Sequence, residues 1–490
     1  MNKFLKFLWI VIITGTAFLA YHYLRPDTAI EDGIIENKIP TSSTTQLQDE
    51  IQKEVEEEKT QSDFIVEGDN YREKGYYQEA TTAYKKALSQ NPNSIQALYK
   101  LGLTYFEDNQ LIEARLYFQQ LEEIQKSTQI DLLIGRTYIN KEDMQKAITY
   151  FDELPNENIE VKYYKAILKI LQKKHTEATT ELTALKELLN TEGPEKDFND
   201  TLRAKIDVFL ETYQAISLNR DAKAQHVEAL LAKAFIDAGE YSAAIPLLFD
   251  TISLQNNYRD AWVMLGYSYL QTGKTDDALD ALLQAKILDP KKPETLFFIG
   301  ITYAIQEKYD DAINALEQAK KAGFEPSTLV EQKLADLNLI KKQYDKALQS
   351  YLNIIDSGIA DINLYTKAIW ICIEKENKTH KAIQIAEKTV EQFPNEAISF
   401  SLRGWAFVAN GDYDKAKENL ITALEMDPRL DHAYLNMGWM YEKQNIRDLA
   451  KEYYKKAYSL GNGNSISNLA ALRFNDILKA DISSSTSLQQ

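Results

Sequence analysis

Reactive and helix-breaking residues are scarce in this chain of 490 residues, which has 11 prolines, 18 glycines, five histidines and a single cysteine. Cys372 therefore has no partner for an intramolecular disulfide, and no cysteine pair exists to hold zinc. Within the apolar run AIWICI it reads as a buried small hydrophobe. The histidines (His22, His175, His226, His380 and His432) are far apart, and none belongs to a metal-binding spacing. A glycine-rich phosphate loop, a nucleophile elbow and a dinucleotide fingerprint are all missing. No catalytic residue, metal site or cofactor is expected, and an enzyme is kept only as the alternative of another class. Basic charge is also in deficit: 56 Lys and Arg against 73 Asp and Glu leave a net charge of −17. Phosphate backbones attract the opposite balance, so nucleic acid is not an expected partner.

What the chain does contain begins with FLWIVIITGTAFLAYHYL, Phe7–Leu24. As a helix it would span roughly 27 Å, close to the hydrocarbon thickness of a bilayer. Lys3 and Lys6 precede it, while Asp27, Glu31 and Asp32 follow Arg25. The positive-inside bias predicts a single-pass membrane anchor, with residues 1–6 cytoplasmic and the remainder extracytoplasmic in a bacterial envelope. Its small-residue cleavage pattern is poor, which favours a signal anchor over a cleaved signal peptide. Residues 25–60 read as a flexible, acidic linker ending in a short helix on which Leu47, Ile51 and Val55 are spaced four apart.

From residue 61 the chain repeats itself. In AWVMLGYSYLQTGKTDDALDALLQAKILDP (261–290), Trp262, Leu265 and Tyr269 form one apolar stripe, and Gly266 and Ala278 let a second helix approach closely. TGK supplies the turn, and Pro290 stops the second helix because it cannot continue the hydrogen-bond ladder. Gly-x-x-Tyr, or Gly-x-x-Phe at Gly404, followed by a spaced Ala, a large residue and another small or apolar one, returns at Gly68, Gly102, Gly135, Gly300, Gly404 and Gly438. Weaker copies centre on Ala244, Ala347 and Ala382. A single pair cannot bury its own face, so neighbours must stack.

Recurring at a period of about 34 residues, this pattern resembles the tetratricopeptide repeat (TPR) family over most of the chain. The resemblance implies an all-α fold: a right-handed α-solenoid of about 11 helix-turn-helix repeats, here preceded by one transmembrane helix and the linker. It also implies a concave groove, lined by the first helix of each repeat, that binds peptide segments or helices of other proteins. The register falters near 190, which divides the chain into sub-arrays at 61–190 and 225–463 joined by an irregular helical connector, 191–224. A capping helix at 464–480 and a disordered polar tail at 481–490 complete the expected organisation.

Two recognition devices of the family do not transfer. Ile65 and Asp69 stand where a carboxylate clamp would begin with Lys and Asn. Of Met264, Phe298, Leu402 and Asn436 at the asparagine-ladder position, only Asn436 fits. The positions toward the groove are instead apolar: Val263, Met264, Tyr267 and Leu270, then Phe297, Phe298, Ile301 and Ile305, with Trp405 and Trp439 in later repeats. They form the candidate peptide groove, and packing between neighbouring first helices is the competing reading of the same residues. The expected function is a membrane-anchored scaffold or assembly factor, the alternative an extracytoplasmic chaperone-like holder of unfolded clients. The expected partners are other proteins, and the membrane through residues 7–24.

Overall fold

The structure, a computed structural model, describes residues 60–487 except 74, 140–142, 190–195, 220, 359–360 and 462–464. Those residues form 24 α-helices, and the chain divides into two compact units with the boundary after Gln306. In the first unit, four helix hairpins occupy 61–90, 95–124, 128–153 and 159–188. The long helix Lys196–Leu218, hairpins at 224–254 and 259–288, and the helix Pro293–Ile305 follow. In the second unit, the helix Tyr309–Lys321 precedes hairpins at 327–356, 362–392, 397–426 and 431–461, and the helix Ser465–Ser487 ends the described chain. This last helix runs on past residue 480, so part of the polar tail is helical.

Glycine and one large residue explain how six of the described hairpins close. A Cβ on Gly102 would lie 2.5 Å from the Phe118 ring, and one on Gly266 would lie 2.5 Å from Leu282 Cγ. The missing side chain thus lets the second helix seat its largest apolar residue on the backbone of the first. Phe118, Leu282, Ala278 and Ala285 are all fully buried. Each such Phe or Leu contributes about 1.5–3 kcal/mol through burial. Local signals set the boundaries: Ser94 Oγ accepts from the Ala97 amide at 3.3 Å, and Asn158 Oδ1 accepts from the Glu160 amide at 2.8 Å. These side-chain caps satisfy donors that the first helical turn leaves open.

The expected transmembrane element requires correction. Among the described residues no helix is long and apolar enough to cross a membrane. Most are 13 or 14 residues long, and a 13-residue helix spans only about 20 Å. The long helix Lys196–Leu218 carries charge along its length, including Arg203, Lys205, Asp207 and Glu211. Residues 7–24, and the linker at 25–60 except its last residue, lie outside the described residues. The fold is an all-α helical repeat, and the preceding membrane helix is withdrawn from it.

Candidate functional site

The first helices of three successive hairpins in the second unit each bring a tryptophan to one cleft. Trp370, Trp405 and Trp439 are spaced 35 and 34 residues apart and line a cavity of about 130 Å³. Ile398, Leu402, Leu435, Ile466 and Leu469 supply the rest of its apolar wall. Trp405 and Trp439 are partly exposed, whereas Trp370 is 3% exposed. Polar side chains line it too, among them Glu374, Ser401, His432 and Arg473. His432 Nδ1 lies 2.8 Å from Asp431 Oδ1, and Arg473 lies 3.6 Å from Glu442. Asn436, the one match to an asparagine ladder, spends its amide on Ser401 Oγ at 3.2 Å. The buried indole Nε1 of Trp439 has no acceptor among the described residues. A cleft packed only against itself would ordinarily satisfy such a donor.

The candidate residues of the sequence analysis separate by burial and by unit. Tyr267, Leu270, Phe297, Phe298 and Ile301 in the first unit are at most 3% exposed. Tyr267 packs its ring 5.4 Å from that of Phe298, which lies 5.7 Å from Phe297. These five are packing residues that a docked segment could reach only by displacing them. Val263, Met264 and Ile305 remain partly exposed. Trp405 and Trp439 belong to the second unit, and the other eight candidates belong to the first.

Trp370 escaped the sequence reading because of one local irregularity. Its helix, Ile362–Trp370, continues into a π-helical stretch, Ile371–Lys375, that accommodates extra chain before the turn. Counting back from Ala382 at the usual spacing therefore misplaces the groove positions of this repeat. The usable signal was the interval between tryptophans.

The same misregister displaces Lys367, one member of a charged cluster. The series Met264, Phe298, Lys333, Lys367, Leu402, Asn436 runs at intervals of 34 or 35 residues, so two lysines occupy a position elsewhere filled mainly by apolar side chains. Lys333 and Lys367 are each 4% exposed, and Asp336 is 2% exposed. Lys367 Nζ lies 3.6 Å from Asp336 Oδ1, which also accepts from the Tyr351 hydroxyl at 2.8 Å. Asp336 Oδ2 has no partner among the described residues. Burial, opposed by Asp336 and reinforced by Lys367, lowers the Lys333 ammonium to about 8. One carboxylate here serves two buried cations.

A second cleft, of about 160 Å³, lies within the first unit, where Phe106, Asn109, Arg136 and Tyr164 meet Gly239–Ala243, Gln271 and Thr272. Asn109 Nδ2 donates to the Thr272 carbonyl at one side of it. The Tyr164 hydroxyl donates to Glu240 Oε1 at 3.3 Å, and Lys205 Nζ lies 3.0 Å from the same oxygen. Arg136 stacks 4.9 Å from the Phe106 ring centre and 5.7 Å from that of Tyr164. Among the described residues no group of histidine, cysteine and carboxylate side chains could hold a metal ion.

Comparisons with known proteins agree with the repeat. Models described as TPR repeat and tetratricopeptide repeat match residues 68–109, 95–128 with 132–154, and 401–465. A model described as anaphase-promoting complex, cyclosome, subunit 3 matches 237–319. Protein bimA of Emericella nidulans is 23% identical over 112 residues, covering 22% of this chain and 14% of that protein. Anaphase-promoting complex subunit 3 of Schizosaccharomyces pombe is 21% identical over 156 residues, covering 29% of this chain and 24% of that one. The chain thus spans less than a quarter of these relatives. The crystal structure of the APC/C hetero-tetramer Cut9-Hcn1 aligns over 86% of this chain and 96% of its own, with 13% identity and a TM-score of 0.32, too loose an overlay to bear on function. These matches place tetratricopeptide-type repeats at residues 68–128, 132–154 and 401–465, on hairpins that close through a glycine and a large side chain.

Proposed function

We propose that the chain is a protein-interaction scaffold whose second unit receives an apolar segment of another protein in the cleft of Trp370, Trp405 and Trp439. The carrying observation is the convergence of three tryptophans from successive repeats on one cleft. Large rigid aromatics lose little conformational entropy on binding and dominate interface energetics, so their clustering favours a docking role over simple packing.

The test is selection of displayed peptides on the full chain, followed by titration using tryptophan fluorescence. Selected sequences should carry apolar or aromatic anchors and quench the indole emission. A Trp405→Ala, Trp439→Ala variant with an unchanged melting profile should bind them at least tenfold more weakly. Equal binding by that folded variant, or the absence of any selected sequence, overturns the reading.

A further inference from the structure

Three side chains that can carry charge line the tryptophan cleft, and two of them face a partner: His432 lies 2.8 Å from Asp431, and Arg473 lies 3.6 Å from Glu442. The third, Glu374, is exposed and makes no hydrogen bond or ion pair among the described residues. Nearby cations are turned elsewhere. Lys375 lies over the rings of Trp370 and Tyr344, and Lys378 pairs with Asp345 and Glu376.

The helix sets Glu374 in the cleft. Thr366, Trp370 and Glu374 stand four apart, and all three line the cavity. In an unbroken α-helix every fourth position drifts about 40° round the axis. The wider π-helical turn at Ile371–Lys375, where the Glu376 amide donates to the Ile371 carbonyl at 3.0 Å, opposes that drift. Single π-helical turns inside α-helices recur at functional sites.

In the open cleft, water solvates the Glu374 carboxylate. An apolar segment laid over Trp405 and Trp439 would strip part of that water, and an uncompensated carboxylate beside a buried apolar contact is costly. A partner that brings a cation to this point offsets the loss, whereas one that brings a carboxylate adds repulsion. The cleft therefore discriminates by charge as well as by apolar fit.

The indoles narrow the cation further. Lys375 lies 4.9 Å from the Trp370 ring centre and Lys443 lies 5.4 Å from that of Trp439, so both rings already have a cation. Trp405, on the hairpin between them, is partly exposed and has none among the described residues. A guanidinium can lie flat on an indole while its edge donates two parallel bonds to a carboxylate; an ammonium is a point charge without that fork. The chain uses a related arrangement at Arg115, which lies 3.8 Å from the Tyr138 ring centre and 3.4 Å from Asp143.

We propose that the occupant of the tryptophan cleft is a partner-protein segment that carries an arginine beside its apolar anchors, the guanidinium pairing with Glu374 and stacking on Trp405. The proposal rests on the scaffold reading of this cleft and specifies its ligand.

The experiment selects displayed peptides on the full chain. A selected peptide is then synthesised with its arginine intact, replaced by lysine, or replaced by citrulline, which keeps the shape and removes the charge. Arginine should be enriched beside apolar anchors. Glu374→Gln, an exposed substitution, should weaken the arginine peptide about tenfold and leave the citrulline peptide unchanged. Raised salt should weaken only the arginine peptide. If Glu374→Gln alters the melting profile, the wild-type chain decides: weaker binding of citrulline supports the pairing, and equal binding overturns it. Equal binding of the lysine peptide overturns the stacked guanidinium. Apolar peptides selected without arginine, or arginine peptides held equally by folded Glu374→Gln, overturn the proposal and leave the scaffold reading standing. Binding that survives unchanged in the Trp405→Ala, Trp439→Ala variant overturns the scaffold reading itself.

Discussion

Lys367 and Asp336 form an ion pair 3.6 Å apart in which both side chains are almost wholly buried. Lys333 shares that carboxylate without a closer partner and is therefore the costly member of the cluster. Its ammonium is lowered to about 8 in the folded chain, against about 10.4 for a free lysine. Between those values the unfolded chain binds more protons than the folded one, so this residue makes stability rise with pH. Below pH 8 both states are protonated and the full penalty is present. Lys333→Met should raise stability at pH 7 by about 1–3 kcal/mol and flatten the rise between pH 8 and 10. Chemical denaturation at several pH values measures both, and an unchanged or lower midpoint at pH 7 would contradict the assignment.

Removal of the other member of the pair should have the opposite effect. Lys367→Met strips Asp336 of its ion-pair partner and should destabilise the protein by roughly 3 kcal/mol. If Lys367→Met and Lys333→Met shift the denaturation midpoint alike, the two lysines are not inequivalent and the cluster has been misread.

Gly266 has no room for a methyl group. A Cβ there would meet Leu282 Cγ at 2.5 Å and the Ala278 carbonyl at 3.2 Å. Gly266→Ala should cost about 1–3 kcal/mol through overpacking, despite alanine's better helix propensity. Combining it with Leu282→Ala should recover part of that loss, a non-additivity that thermal melts of both single variants and the double variant would detect.

Glu307 adopts φ = +58° without being glycine, at a turn position where Gly273 has φ = +68°. The left-handed backbone strains any residue with a Cβ. Glu307→Gly should stabilise by about 1 kcal/mol, less the entropy glycine adds to the unfolded chain. A fall in melting temperature would mean that the Glu307 side chain contributes more than its backbone costs.

Cys372 is fully buried, and burial pushes its thiol up to about 11. At pH 8 very little thiolate forms, so thiol reagents should modify it only on unfolding. Rapid labelling of the native chain would disprove the burial.

The repeat was legible because it is enforced by contacts inside each hairpin, as between Gly102 and Phe118 or Gly266 and Leu282. Those contacts oblige fixed residue types at fixed spacing. The recognition surface is under no such obligation. Met264 and Phe298 are equally apolar on paper, yet only Met264 keeps partial exposure; the difference comes from neighbours that spacing alone does not place. Trp370 and Lys367 were obscured by the extra residue before Ala382. Arg136 gave no local signal, since its surroundings combine Phe106 and Tyr164 from neighbouring repeats with Glu240 from far along the chain.

The hydrogen bond from Asn109 to Thr272 has a mechanical consequence. An array in which each hairpin touches only its neighbours extends under tension like a row of independent springs in series. Cross-linking its coils by this bond and by Tyr164 with Glu240 shortens the free length of the row. The first unit should therefore resist a small pulling force as one block and then yield in a single step when those two links part, whereas an array without them would lengthen gradually.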